Sequence, residues 1–299
     1  MTIPARLFPR HVRHSTLAAL AAATLALSLS ACEAAPNESG KEPSSAQHTD
    51  HTDHALRYVA LGDSYASMGT RGAPHTGPGW CARASDNYPS QLQQMKGLAL
   101  VDVTCQGALT DHVLGPRADL PPQLDAVDTT TDIITLSIGG NDAGFGVLTS
   151  CAMNTSDLNC AELHGGEIDQ ALAALPAKLD DVYAGIHRKA PQAKIFATAY
   201  MPLLAPTDNE SNCPAIEKVS DVDRLWLMQK ISQINLEVEQ AAHRAGAQFV
   251  VPPGTELHTG CAPVAERWVD LAGTENGAYP MHPTHEGQLA MAHAIAEHL

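Results

Sequence analysis

Four short blocks of the 299-residue chain carry residue types suited to nucleophilic chemistry. Gly62-Asp63-Ser64-Tyr65 follows an apolar run at 57–61. A Ser on a sharp strand-to-helix turn points its hydroxyl out of the sheet edge. Gly62 permits the turn, and the amide dipoles of a following helix favour a developing oxyanion. Cys105-Gln106-Gly107-Ala108 follows a second such run, and Gly107 there would leave its N–H free to approach a substrate oxygen. Ser137-Ile138-Gly139-Gly140-Asn141-Asp142 follows a third, and Asn141 offers a side-chain NH₂ donor. His282-Pro283-Thr284-His285-Glu286-Gly287 closes the set. An imidazole with its ordinary pKa of about 6.5 accepts a serine proton near neutral pH. Each block alone also fits a common turn. Their order is more informative: a nucleophile after one strand, donors after the next two, a base before the last helix. Asp63 and Asp142 read as loop-organising acids. His285 is a rival base, but it sits inside the first turn of the expected final helix.

These blocks need a frame that brings them to one edge. Runs at 57–61, 98–103, 132–137, 194–200 and 247–251 are near-continuously apolar or β-branched, the mark of parallel strands covered on both faces. Between them, Ile168, Leu172, Leu175, Leu179, Val182 and Ile186 keep one helical face apolar. Pro176 is expected to kink or divide that helix. Leu227, Ile231, Ile234 and Val238 mark another helix, with Ser220 as N-cap and Gly246 closing it. A last helix follows Thr284. The alternation predicts a three-layer α/β/α sandwich on a five-stranded parallel sheet with right-handed crossovers. Ligands then bind off the carboxyl ends of the strands, where the four blocks fall.

The chain carries 33 acids against 18 bases, a formal charge of −15, which argues against a phosphate-backbone binder and hence against nucleic acid. Aromatics are scarce, with 4 Phe, 6 Tyr and 3 Trp, too few for a base- or sugar-stacking platform. Arg6, Arg10 and Arg13 precede an apolar run at 17–29, short of the ~20 residues of a spanning helix and suited to a secretory signal. Residues 29–32, Leu-Ser-Ala-Cys, resemble a bacterial lipobox. Residues 1–31 are thus expected to be a lipoprotein signal peptide, with Cys32 lipidated. A covalent anchor of this kind tethers a soluble domain to a membrane surface. Residues 32–56 read as a polar tether ending in a His/Thr/Asp run at 48–54, a solvated linker with no rigid geometry for a metal. Residues 57–299 form the folded domain. The other Cys are 81, 105, 151, 160, 213 and 261. An even set in an exported chain implies disulfides. Neighbour pairing, Cys81–Cys105, Cys151–Cys160 and Cys213–Cys261, is the expectation.

Taken together, the four blocks resemble the SGNH hydrolase family, also called the GDSL esterase/lipase family, over most of residues 57–299. Gly-Asp-Ser followed by Tyr, the Gly-Gly-Asn-Asp block and the six Cys look most like its actinobacterial secreted lipase/esterase branch. The Gly-x-Ser-x-Gly elbow of ordinary α/β-hydrolases is absent, since residue 66 is Ala. The resemblance implies a carboxylic-ester hydrolase working through an acyl-enzyme, with no cofactor and no metal. Ser64 would attack the ester. The N–H groups of Ser64 and Gly107, with the Asn141 side chain, would hold the oxyanion, and His282 would shuttle the proton. Many members place Asp three residues before the His; here that residue is Tyr279. The branch includes members that use a main-chain carbonyl, so the Tyr279 carbonyl is expected to orient His282, with Asp270 a weaker substitute. Two other readings share the pattern: a carbohydrate O-deacetylase of the same fold, and a non-catalytic surface-binding lipoprotein.

Overall fold

In chain order the elements are β1 (Arg57–Gly62), α1 (Ser64–Ser67), α2 (Tyr88–Lys96), β2 (Ala99–Asp102), α3 (Thr110–Leu114), β3 (Ile133–Ser137) and α4 (Phe145–Ser150). They continue with α5 (Cys160–Lys189), β4 (Lys194–Thr198), α6 (Asp221–Arg244), β5 (Gln248–Val250), β6 (Val269–Asp270), β7 (His282–Pro283) and α7 (His285–Ala296). The computed structural model describes residues 54–151, 158–209 and 211–299. The expected signal peptide, Cys32 and nearly all of the expected tether lie outside the described residues. No described helix is long and apolar enough to cross a membrane.

β1 to β5 form one parallel sheet in the order β2-β1-β3-β4-β5. Val59, Ala60 and Leu61 of β1 and every residue of β3 are buried, which is why those strands read as unbroken apolar runs. Helix α2 packs on α7, and α5 on α6, giving the two outer layers. The chain passes from β1 outward to β2 and then back across to β3, so a crevice opens where the strand order reverses. The carboxyl ends of β1, β2 and β3 surround that crevice.

The caps follow local chemistry. Ser220 accepts from the Asp223 N–H at the start of α6, and Thr284 from the Gly287 N–H at the start of α7, both at 3.1 Å. Gly246 follows α6 at φ +68°. The strands are shorter than their apolar runs: β4 ends at Thr198, leaving Tyr200 beyond the sheet edge. Pro176 does not divide its helix, because α5 is one helix across it. Leu172, Leu175 and Leu179 are buried on both sides of the proline, and their packing outweighs the one missing N–H. The small antiparallel pair β6–β7 was not foreseen; it sets Asp270 opposite His282.

Three disulfides join Cys81 to Cys105, Cys151 to Cys160, and Cys213 to Cys261, which is the neighbour pairing.

Candidate active site

Ser64 is the first residue of α1 and is 8% exposed. Its placement is dictated by the residue before the turn and the residue after it. Gly62 sits at φ +145°, and a Cβ there would lie 2.4 Å from the Ser137 carbonyl oxygen, so only glycine lets β1 and β3 close up at this edge. Gln123 clamps the same residue, accepting from the Gly62 N–H at 2.7 Å and donating to its carbonyl at 2.9 Å. Asp63 caps α1, its Oδ1 accepting from the Tyr65 N–H at 2.9 Å. The Ser64 N–H donates to no protein group among the described residues.

Behind Ser64 lies a buried polar relay. The Gly140 N–H donates to the Tyr200 hydroxyl at 2.8 Å, and that hydroxyl donates to Asp63 Oδ2 at 2.5 Å. Burial pushes the Asp63 carboxyl up to about 7, despite the Tyr200 and Tyr65 donors that favour its ionised form. The Asp142 charge pushes in the same direction as burial. Asp142 itself ties two blocks together: it accepts from the Thr110 N–H at 2.9 Å and hydroxyl at 2.7 Å, and pairs with Lys178 at 3.0 Å. Both acids therefore organise loops. Sequence reasoning missed Tyr200 and Gln123, whose partners are 60 or more residues away.

Gly107, at the carboxyl end of β2, adopts φ +65°, and its N–H donates to nothing among the described residues. Asn141 donates one amide hydrogen to the Ala108 carbonyl at 3.0 Å, which orients its NH₂ group and leaves the second hydrogen for another acceptor. The two donor loops are thus linked to each other.

His282 lies in β7. Its Nδ1 is 2.7 Å from the Pro280 carbonyl oxygen, and a carbonyl only accepts, so Nδ1 carries the proton. Nε2 then holds the lone pair; it is buried with no hydrogen-bond partner. Burial lowers the His282 pKa, and the Pro280 contact only partly offsets this. This corrects the expectation for Tyr279. Its carbonyl is consumed by the His282 main-chain N–H at 3.1 Å, closing a turn, and the next carbonyl faces the ring instead. Asp270 is not the orienting group either. Its oxygens accept from the N–H groups of Ala272, Gly273, Glu275 and Asn276. Burial pushes this carboxyl up, but the four donors outweigh it and hold the pKa below the usual range. His285 lies half-exposed beside Asp86, Nδ1 to Oδ2 3.7 Å.

α1 packs against β7, and the Tyr65 and His282 rings lie 5.4 Å apart between centroids. Met281, just before the histidine, adopts φ +60°, a left-handed conformation rare outside glycine. Beside this loop opens a cavity of about 600 Å³, lined mainly by apolar groups including Leu204, Ile216, Leu227, Leu271, Pro280 and Met281. Its walls come from six separate stretches of the chain, which no local sequence signal announces. Among the described residues, no cluster of three His, Cys, Asp or Glu could hold a metal.

Residues 60–290 match the GDSL-like Lipase/Acylhydrolase family. The chain is 32% identical to Lipase 2 of Streptomyces coelicolor, covering 95% of each chain. It resembles the solved extracellular lipase of Streptomyces rimosus (TM-score 0.67, 28% identity, 82% of this chain and 99% of that one). It also resembles phospholipase A1 of Streptomyces albidoflavus (TM-score 0.66, 27% identity, 82% and 98%). With the strand order, the loops at the sheet edge and these relatives in agreement, the chain belongs to the GDSL-like lipase/acylhydrolase family and is a serine-type carboxylic-ester hydrolase.

Proposed function

We propose that this chain is an exported lipid-ester hydrolase that works through an acyl-enzyme formed on Ser64. The observation that carries the reading is the state of His282: Nδ1 is committed to a main-chain carbonyl, while Nε2 is buried and unpartnered on the strand against which α1 packs. An imidazole so held is a base looking for a proton, and the serine at the start of α1 is the donor we assign to it. Ser64 Oγ attacks the ester carbonyl as His282 Nε2 takes its proton. The tetrahedral oxyanion accepts from the Ser64 and Gly107 N–H groups and the free hydrogen of Asn141. His282 returns the proton to the leaving alcohol; water, deprotonated by the same nitrogen, then releases the acid. The Pro280 carbonyl acts as the orienting third member, so Ser64 and His282 form a dyad.

The apolar cavity of about 600 Å³ beside Pro280 and Met281 supports an acyl chain as the recognised group. The family relatives named lipase and phospholipase A1 fit the same reading. Export is supported by the extracellular Streptomyces rimosus relative and by the disulfides. We further propose that residues 1–31 are removed, that Cys32 is lipidated, that 32–56 are a tether and that 57–299 are the catalytic domain.

Nitrophenyl esters of short and long acids, offered to wild type and Ser64→Ala, test the chemistry. Turnover is expected to vanish in the variant and to favour acyl chains over acetate. Equal turnover by both proteins removes Ser64 as nucleophile. A preference for acetylated sugars moves the substrate class to carbohydrate. Cys32→Ser is expected to release the protein from cell membranes; unchanged retention rules out the anchor.

A further inference from the structure

The peptide joining Gln106 to Gly107 has two ends with different duties. Its N–H, on Gly107, is one of the oxyanion donors of the reading above, on which this inference rests. Its carbonyl, on Gln106, accepts from Arg117 Nη1 at 2.6 Å. No described peptide bond is cis, so the C=O and N–H of this unit point in opposite directions. Fixing the carbonyl toward Arg117 therefore fixes the Gly107 N–H toward the other side. A cationic donor on an amide oxygen also draws electron density from the amide, which makes its N–H a stronger donor.

The guanidinium is built into place. It lies over the Trp80 ring, 4.9 Å from the centroid, and reaches Cys105 Sγ at 3.5 Å. Its backbone closes a tight turn with Leu120, paired in both directions at 3.0 and 2.9 Å, and Ala118 at φ +53° is the residue that lets the turn close. A Cβ on Gly107 would come within 3.2 Å of Nη2, so the cation lies directly against the donor residue. The Cys81–Cys105 disulfide and the Gln106 N–H to Cys81 carbonyl bond, 3.0 Å, hold the other flank. Only burial acts on the Arg117 pKa, and among the described residues no carboxylate pairs with its charge. Its hydrogen-bonding capacity is therefore spent on the Gln106 carbonyl and not on an acid.

We propose that Arg117 is a positioning residue of the oxyanion hole: its guanidinium grips the Gln106 carbonyl, aims the Gly107 N–H at the ester oxygen and strengthens it as negative charge develops. The group acts through a peptide and touches no substrate. Its effect belongs to the transition state and not to ground-state binding.

Arg117→Gln and Arg117→Lys, assayed on an uncharged nitrophenyl butyrate, test this. We expect kcat to fall about tenfold in the Gln variant, less than the ~10²–10³ cost of removing a donor outright, with KM within about twofold. Affinity for an alkyl boronic acid, which forms a tetrahedral serine adduct, falls by the same factor as kcat. Affinity for an unreactive ether analogue of the ester stays unchanged. The Lys variant, with the charge but not the fork, recovers part of the loss. Unchanged kcat in Arg117→Gln overturns the proposal. So does a rise in KM at constant kcat, which makes Arg117 a substrate-binding group. A third contrary result is activity that tracks the fall in melting temperature equally in both variants, which makes it a staple of the loop. Failure of the Ser64 reading is seen separately, as turnover retained by Ser64→Ala.

Discussion

The Tyr65 hydroxyl donates to the Met281 carbonyl at 3.0 Å, joining residues 216 apart in the chain. Each partner is the immediate neighbour of a proposed reacting residue, Ser64 on one side and His282 on the other. The bond spans the crevice between α1 and β7, and the Tyr65 ring is braced edge-on by Phe145 and Tyr200 at 5.4 and 4.9 Å. The relative position of hydroxyl and imidazole is thereby tied to a packed aromatic cluster instead of to two independent loops.

Tyr65→Phe keeps the ring and removes this one bond. Stability should fall by about 1 kcal/mol, the net worth of a neutral hydrogen bond. kcat should fall several-fold while the pH–rate profile keeps its shape, because the pKa of His282 is set elsewhere. Thermal melts and initial rates measure the two effects; a displaced acid limb would mean that the phenol acts on the imidazole itself.

The pH dependence of kcat/KM follows from the burial of His282. As the proposed base, the imidazole must be neutral to accept a proton, so activity is lost as pH falls through its pKa. Burial lowers that pKa, so the acid limb should lie below the ordinary histidine value of 6.5. Proton NMR of the imidazole in Ser64→Ala reads the same titration directly. A midpoint above the ordinary value would contradict the geometry.

Asp63 should leave a signature in stability. Its carboxyl titrates at about 7 in the folded protein and near 3.8 in the unfolded chain. Between those values the folded state holds a proton that the unfolded state has released, so stability declines as pH rises through that window and levels off above 7. Asp63→Asn removes the titration, so the gap in melting temperature between variant and wild type should shift in the variant's favour from pH 4 to pH 7. A gap that is constant with pH would mean that the carboxyl is ionised throughout.

Asn141→Ala should cost ~10²–10³ in kcat, as expected for one oxyanion donor. The mutation also leaves the carbonyl of the buried Ala108 without its partner, so stability should fall by about 1–3 kcal/mol. Steady-state kinetics well below the measured melting temperature distinguish the loss of a donor from simple unfolding, which would leave the rate of the folded variant unchanged.

Particular residues show what a linear reading can and cannot reach. The cap Ser220 was legible because a cap and its partner are three residues apart, and Thr284, which also proves to be a cap, marked where the last helix begins. The sheet was legible because each buried strand is a run of apolar residues, and Gly62, Gly107 and Asn141 stood out because they end such runs. The Tyr200 relay was not legible, since Asp63 lies 137 residues away and the apolar run at 194–200 placed Tyr200 inside a strand. Nor was the choice between the Tyr279 and Pro280 carbonyls. Adjacent peptides face different ways, and the turn dihedrals decide which one meets the ring. The large cavity escaped notice for a related reason: hydrophobic residues lining a hollow and hydrophobic residues filling a core look identical in one dimension.

Met281 stands at the meeting point of two demands. Its backbone takes the shape that glycine takes freely, while its side chain forms part of the cavity wall. Replacement by glycine would relax the main chain by about 1 kcal/mol and at the same moment remove a thioether from the chamber. That thioether also packs against the buried core, and its loss would cost the fold more than the relaxed backbone returns, so the strain at this turn is held by the wall it helps to build.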